Sequence, residues 1–293
     1  MLSLTRQNPR LPLALAGSRP IQRLKDEHEA EVLDFLAAHP MLTFVMSGWI
    51  KDNGLVSPLN RGDFYGCRNT QGELQGVALI GHITLLETNS EATLAAFACL
   101  TQNCESAYAV MGEESKVSRF LNYYTQGGQQ PRLLCRELLF EQRSKERLNE
   151  PVPGLRRATA EELEQLATVH AEMTLEETGV DPLKADPAGF RDRYARRIQQ
   201  GRVWVSMKDN QLMFKADVIS DLPEVTYLEG LYVSPEKRGN GFGASCVRQL
   251  TNNLLTHSRS VCLLAKDHNS AAHACYRKAG YTLREYYQTL FLQ

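Results

Sequence analysis

Between residues 227 and 245 the chain reads YLEGLYVSPEKRGNGFGAS: an apolar β-branched and aromatic run, a charged loop from Pro235, and a turn in which Arg238 precedes Gly239, Gly241 and Gly243. Residues of these types in this order can hold phosphate. A helical pattern follows the turn, and a helix N-terminus presents unpaired backbone N–H groups and partial positive charge. Glycines let that backbone approach an anion without a Cβ in the way, and Arg238 places a fixed cation at the mouth of the turn. The expected ligand is nucleotide-like. The plain alternative is a turn whose glycines serve only to permit positive φ, with Arg238 a surface charge.

Two phosphate-binding plans fit the glycines. Gly239, Gly241 and Ala244 satisfy the dinucleotide pattern G-x-G-x-x-[GA], and Asp267 lies not far from where its acidic residue is required. That plan puts its first glycine at the end of the strand, whereas Ser234 to Arg238 intervene here, and too little chain remains for the rest of a doubly wound sheet. The second plan fits better. Arg238-x-x-Gly241-x-Gly243, after a strand ending Val233-x-Pro235, resembles the acyl-coenzyme A pyrophosphate loop of the GCN5-related N-acetyltransferases (GNAT). Downstream, Asn269-Ser-Ala-Ala-His-Ala-Cys-Tyr276-Arg-Lys-Ala-Gly280-Tyr281 is similar to that family's second motif, N-x-x-A-x-x-x-Y-x-x-x-G-[FY]. The resemblance covers residues 154–293.

It implies an acyl-CoA-dependent N-acyltransferase, with acetyl-CoA as co-substrate and a small-molecule amine or a protein N-terminus as acceptor. The coenzyme contacts it implies are the backbones of Leu231, Tyr232 and Val233, the turn Arg238, Gly239, Asn240, Gly241, Phe242, Gly243 and Ala244, the hydroxyl of Ser245, and Asn269, which can equally cap its helix. Tyr276 stands where the family often carries a tyrosine near the coenzyme sulfur. A phenol there can return a proton to the departing thiolate, although an aromatic on a helix also serves simply as core. Glu229 is the acidic residue within the central strand, two before Leu231; partial burial would raise its pKa toward that of a general base, or it pairs with an arginine or faces solvent. Glu176 and Glu177 are expected in a loop bordering the acceptor cleft, either attracting a cationic amine or simply solvated. His268, His273 and Cys275 flank the second motif without ligand or nucleophile spacing, so no metal is expected and direct transfer needs no covalent cysteine. A non-catalytic acyl-CoA sensor remains the alternative from a different class, with a dinucleotide-binding protein a distant third.

The elements that must position these residues follow in order. The fold class expected for residues 154–293 is α/β (α+β), a mixed, mostly antiparallel sheet flanked by helices. A strand over 154–158 leads to Thr159 as N-cap with Glu162 three residues on, and a helix to about Glu172. Then come the 176–182 loop, a helix over 187–200 with four arginines on its exposed side, and a hairpin of 202–208 and 211–219 about Asp209-Asn210. The central strand, the turn, a helix over 243–255 with Val247, Leu250 and Leu254 inward, a buried strand over 261–266, a helix over 270–278 and a closing strand over 282–292 complete the module.

The first half is expected to be a second α+β domain over residues 21–147, after an N-terminal arm of residues 1–20 and before a linker at 148–153. Its pattern gives a helix over 26–38 ending before Pro40, an apolar stretch at 41–49 that fits helix or strand, and strands over 64–68 and 73–86. A helix over 91–101, a strand over 107–111, a helix over 113–124 and a strand over 132–141 follow. That is the order of a degenerate GNAT-like half, yet it contains no [QR]-x-x-G-x-[GA]; it weakly resembles the uncharacterised domain that precedes GNAT modules in some two-part bacterial proteins. An unrelated α+β domain is the alternative.

The 293 residues carry a formal charge of −1, with 43% hydrophobic and 23% charged residues, the balance of a soluble globular protein. No polybasic segment points to nucleic acid or an anionic membrane. Seven dispersed cysteines with no C-x-x-C pair suit a reducing, cytoplasmic setting. The Arg10 to Gly17 stretch is too short and Pro-interrupted for a signal peptide, and no apolar run is long enough to span a bilayer. A homodimer is left open.

Overall fold

The computed structural model describes residues 21–148 and 150–292; the expected N-terminal arm lies outside them. The described residues form two compact units, 21–137 with 285–292 and 138–284. The division falls inside a strand, not in the Pro-rich stretch expected as the linker, and residues 285–292 return to the first unit.

In the first unit β1 (Gln22–Arg23) is followed by α1 (Glu29–Ala37) and α2 (Pro40–Asn53). The ambiguous apolar stretch is thus helix: Pro40, which ends α1, sits in the first turn of α2, where its missing N–H costs nothing. Next come β2 (Gly62–Arg68), β3 (Leu74–Gly81), β4 (Ile83–Thr88), α3 (Glu91–Gln102), β5 (Ala109–Glu113), α4 (Glu114–Tyr124) and β6 (Leu133–Gln142). The single strand expected over 73–86 is two strands, broken at Gly81-His82. Gly81 lies directly opposite Gly62, and a Cβ on Gly81 would stand 2.3 Å from the Arg61 carbonyl oxygen, so the chain turns where two glycine backbones touch. Phe97, Phe120, Val110 and Leu290 centre this unit's core.

The second unit takes β7 (Leu155–Arg157), α5 (Leu163–Thr178), the short α6 (Pro182–Ala185), α7 (Pro187–Gln199), β8 (Val203–Lys208), β9 (Gln211–Asp221) and β10 (Thr226–Val233). It closes with α8 (Phe242–Leu254), β11 (Val261–Lys266), α9 (Ser270–Ala279) and β12 (Thr282–Phe291). The Asp209-Asn210 turn has positive φ at both residues, 49° and 60°, matching the twist of its hairpin. The strands of each unit make a mixed, mostly antiparallel sheet: β1-β2-β3-β4-β5 with Tyr287–Phe291 of β12 in the first, and β6-β11-β10-β9-β8-β7 in the second. Phe140, Phe214, Leu228 and Leu263 are fully buried in the second core, each contributing roughly 1.5–3 kcal/mol by its burial. Helix α5 runs past its expected end to Thr178, because Gly179 at φ +73° closes it and donates its N–H to the Leu175 carbonyl. Glu176 and Glu177 therefore ride on the last turn of a helix, not in a loop.

Candidate active site

The strand at the centre of the second unit is not straight. β10 pairs in parallel with β11 only over Thr226, Leu228 and the residue between them, and beyond Leu228 the two diverge. On its other side Glu229 lies opposite Asp217 of β9, but the next partners are Tyr232 and Lys215, so one extra residue is accommodated in β10. That residue count defines a β-bulge, and Gly230 at φ +59° supplies the backbone freedom it needs. Leu231, Tyr232 and Val233 thus run on past the point where β11 has turned away, and an extended ligand can lie along such an edge as an added strand.

Past Val233 the chain makes the expected turn. Gly239 and Gly241 adopt φ of +79° and +86°, and Gly241 is the N-cap of α8. The Phe242 N–H is met by Asn240 Oδ1 at 3.1 Å, while the amides of Gly243 and Ala244, in the first turn, have no helical acceptor behind them. Arg238 Nε donates to the Val233 carbonyl at 2.9 Å, which ties the guanidinium to the end of β10 and leaves its forked end at the exposed mouth of the turn. A Cβ on Gly243 would stand 2.9 Å from Val233 Cγ2, so only glycine lets α8 start this close to β10. Ser245 Oγ donates to the Gly241 carbonyl at 3.3 Å, which engages its one O–H within the helix. Asn269 Oδ1 accepts from the Ala272 N–H at 3.0 Å and caps α9.

Lys278, which the sequence reading passed over, joins this turn: a Cβ on Gly241 would lie 2.8 Å from its Nζ. The ammonium comes from the last turn of α9, next to the residue that caps α8. Its signal was a cation two residues after Tyr276 in the second motif.

Tyr276 is buried in the core, edge-on to Phe140 at 5.7 Å and 6.3 Å from Tyr281. Burial drives its phenol pKa upward, helped by Cys275 and Glu177, so the ring keeps its proton. Glu229 is exposed at its surface, yet the protein around it pushes its carboxyl up to about 7 by desolvation; Arg197 and Lys215 oppose that rise and Glu177 and Asp217 add to it. Its side chain is exposed, so water screens part of that rise. Glu177 is the one of the two α5 glutamates whose charge acts on both Glu229 and Tyr276.

Behind the bulge lies a network that sequence reasoning missed. Lys215 and Asp217 of β9 are both fully buried and 3.1 Å apart. Tyr194 donates its hydroxyl to Asp217 Oδ1 at 3.1 Å, and Arg197 reaches Asp217 Oδ2 at 3.2 Å. Arg197 thus turns inward from α7, where four arginines were expected on the exposed side. Desolvation alone would raise the Asp217 carboxyl, but the charges of Lys215 and Arg197 outweigh it and hold it below its ordinary range. His170 of α5 stacks on Phe190 and is driven down to about 3, chiefly by burial and then by Lys215, so it is neutral. The sequence shows only that Lys215-x-Asp217 puts two charges on one face of β9; their partners Gly230, Tyr194 and Arg197 come from elsewhere in the chain.

Comparison with known proteins agrees with this geometry. Residues 215–291 match the family model described as FR47-like protein. No curated protein matches the chain by sequence. Among solved structures, an acetyltransferase of the GNAT family from Colwellia psychrerythraea superposes with a TM-score of 0.57 at 13% identity, over 94% of this chain and 100% of that one. A tandem GNAT protein from the clavulanic acid biosynthesis pathway gives 0.57 at 13% identity over 93% and 98%. A Drosophila protein gives 0.61 at 12% identity over 93% and 98%. The fold is that of the GNAT acetyltransferases, and the likeness extends along both halves of the chain. Among the described residues no group of three or more His, Cys, Asp and Glu side chains is placed to hold a metal ion, and no helix is long and apolar enough to cross a membrane.

Proposed function

We propose that this protein is an acyl-CoA-dependent N-acyltransferase that moves an acetyl group from acetyl-CoA directly to a primary amine, on a small molecule or a protein N-terminus. The observation that carries this reading is the bulged, diverging β10 running straight into a glycine turn at the start of α8. An extended arm can lie along Leu231 to Val233 while its phosphates reach the amides of Gly243 and Ala244, with Arg238 and Lys278 as countercharges.

The chemistry then needs few parts. Glu229, with a carboxyl poised near neutrality, takes a proton from the incoming ammonium directly or through water. The free amine attacks the thioester carbonyl, a C–N bond forms, and a backbone N–H of the splayed strand stabilises the oxyanion. As the C–S bond breaks, the thiolate takes the proton of the Tyr276 hydroxyl. Glu177, on the last turn of α5, adds negative charge that favours a cationic acceptor.

A non-catalytic acyl-CoA sensor would share the coenzyme turn but has no use for a water-facing carboxyl on the bulged strand whose pKa is raised. The test is isothermal titration of acetyl-CoA into the wild type and an Arg238→Glu, Gly241→Asp variant, followed by turnover with a panel of amines. Micromolar binding lost in the variant and turnover with any amine support the enzyme; binding without turnover supports the sensor; no binding sinks both.

A further inference from the structure

We propose that Lys215 and Asp217 are positioning residues for the acyl-CoA arm, pinning the bulge of β10 and so fixing the path of Leu231 to Val233. The inference rests on the acyl-CoA reading of the cleft. Its geometric basis is that the two residues of β9 facing Glu229 and Tyr232, the positions that bracket the bulge, are Asp217 and Lys215 themselves. A bulged residue forfeits its regular ladder bond. Here Lys215 Nζ replaces the missing backbone donor, donating to the Gly230 carbonyl at 2.8 Å. Asp217 neutralises the ammonium at 3.1 Å and is itself held by Tyr194 and Arg197 from α7. The fit is tight, since a Cβ on Gly230 would stand 3.0 Å from both Lys215 Nζ and Asp217 Oδ2.

Stability does not explain such a pair. Both side chains have 0% exposure, and replacing a buried ion pair by apolar residues of similar size is often neutral or stabilising. What an apolar pair cannot do is hold a carbonyl. Without the pin, the extra residue in β10 can migrate along the strand, and the three residues that would pair with the pantetheine arm lose their fixed direction.

The experiment uses the full chain with two double variants. Lys215→Met with Asp217→Leu removes the pin and keeps the volume, whereas Lys215→Gln with Asp217→Asn removes the charges but keeps a side-chain N–H for the Gly230 carbonyl. The Met/Leu variant, in which Tyr194 and Arg197 also lose their carboxylate partner, is expected to fold with a lowered Tm, to bind acetyl-CoA about tenfold more weakly, and to exchange the amide hydrogens of residues 230–233 about tenfold faster. The Gln/Asn variant is expected within about threefold of the wild type on both readouts, as its donor is retained. Wild-type exchange and affinity in a folded Met/Leu variant overturn the proposal, as does a Gln/Asn variant no better than Met/Leu. Should Met/Leu not fold, the Gln/Asn variant decides, and a tenfold loss there overturns it. If the wild type binds no acetyl-CoA while exchange still accelerates, the pin stands and the coenzyme reading falls.

Discussion

The two units of this chain carry the same succession of elements: strand, two helices, three strands, helix, strand, helix, strand, with the short α6 added in the second. In each, the last strand of the antiparallel run pairs in parallel with the next strand for only a few residues and then leaves it, Ile83 and Thr84 with Ala109 and Val110 in the first, Thr226 to Leu228 with Val261 to Leu263 in the second. What differs is the connection. β10 reaches α8 through residues 234–241 with their glycines, whereas β4 reaches α3 through Asn89 and Ser90 alone, and Ser90 Oγ accepts the Thr93 N–H as an ordinary cap. β10 is bulged; β4 pairs with β3 in unbroken register. Beside β4 lies a cavity lined by Leu42, Phe44, Val45 and Met46 of α2, Leu85 and Leu86 of β4, Met111 and Gly112 of β5, and Tyr287. The glutamates differ too. Glu87 of β4 is 2% exposed and bound by Lys116 at 2.6 Å, whereas the Glu229 carboxylate has no ion pair among the described residues and faces water. The same succession of elements thus takes two forms, set apart by loop length, one bulge and one helix.

The sharpest way to break that comparison is at the two helix starts. Arg238→Glu with Gly241→Asp is expected to weaken acetyl-CoA binding by on the order of 100-fold or more, because charge-assisted bonds to phosphate are replaced by repulsion. Ser90→Asp, at the corresponding start of α3, should leave the titration unchanged; a loss of affinity there would mean that the first unit also holds coenzyme.

Next come the glutamates. Glu229→Gln should lower kcat by about 100-fold, the usual worth of a general base. Because the base must be ionised, wild-type kcat/KM should rise as pH climbs through about 7, and the variant's profile should lose that limb. Glu87→Gln should do the opposite: unchanged kcat, with stability in urea lower by about 3 kcal/mol as Lys116 loses its buried partner.

Tyr276→Phe is expected to lower kcat about tenfold with little change in KM, below the usual worth of a proton donor because burial makes this phenol a weak acid. Steady-state rates with a good thiol leaving group should restore most of the loss; no change in kcat would make Tyr276 core alone. The smallest effect should be common to both units. Gly128 and Gly179 end their helices at φ +87° and +73° with open space where a Cβ would go, so Gly→Ala at either should cost about 1 kcal/mol by melting and leave binding intact.

Much of this is legible in the sequence because local signals and tertiary demands agree. The glycine turn, the Asp209-Asn210 hairpin and the amphipathic α8 each announce themselves by residue type and period. Three features are not legible, each for a physical reason. The break at Gly81 depends on Gly62 lying opposite it, which no local pattern shows. The end of α5 depends on Gly179, whose capping role two polar glutamates disguise. Lys278 and Lys215 owe their importance to neighbours distant in sequence, and a lysine alone reads as surface.

The last strand has a further consequence, for the order in which the protein comes into being. β5 lies in the first unit, yet its antiparallel partner is the stretch from Tyr287 to Phe291, which the ribosome delivers only after the second unit. A nascent first unit therefore waits with an open sheet edge while the whole second unit is synthesised, the condition in which strands find wrong partners. Its slow step should be set by translation of the second unit rather than by its own sequence, and removing residues 285–292 should unfold the first unit.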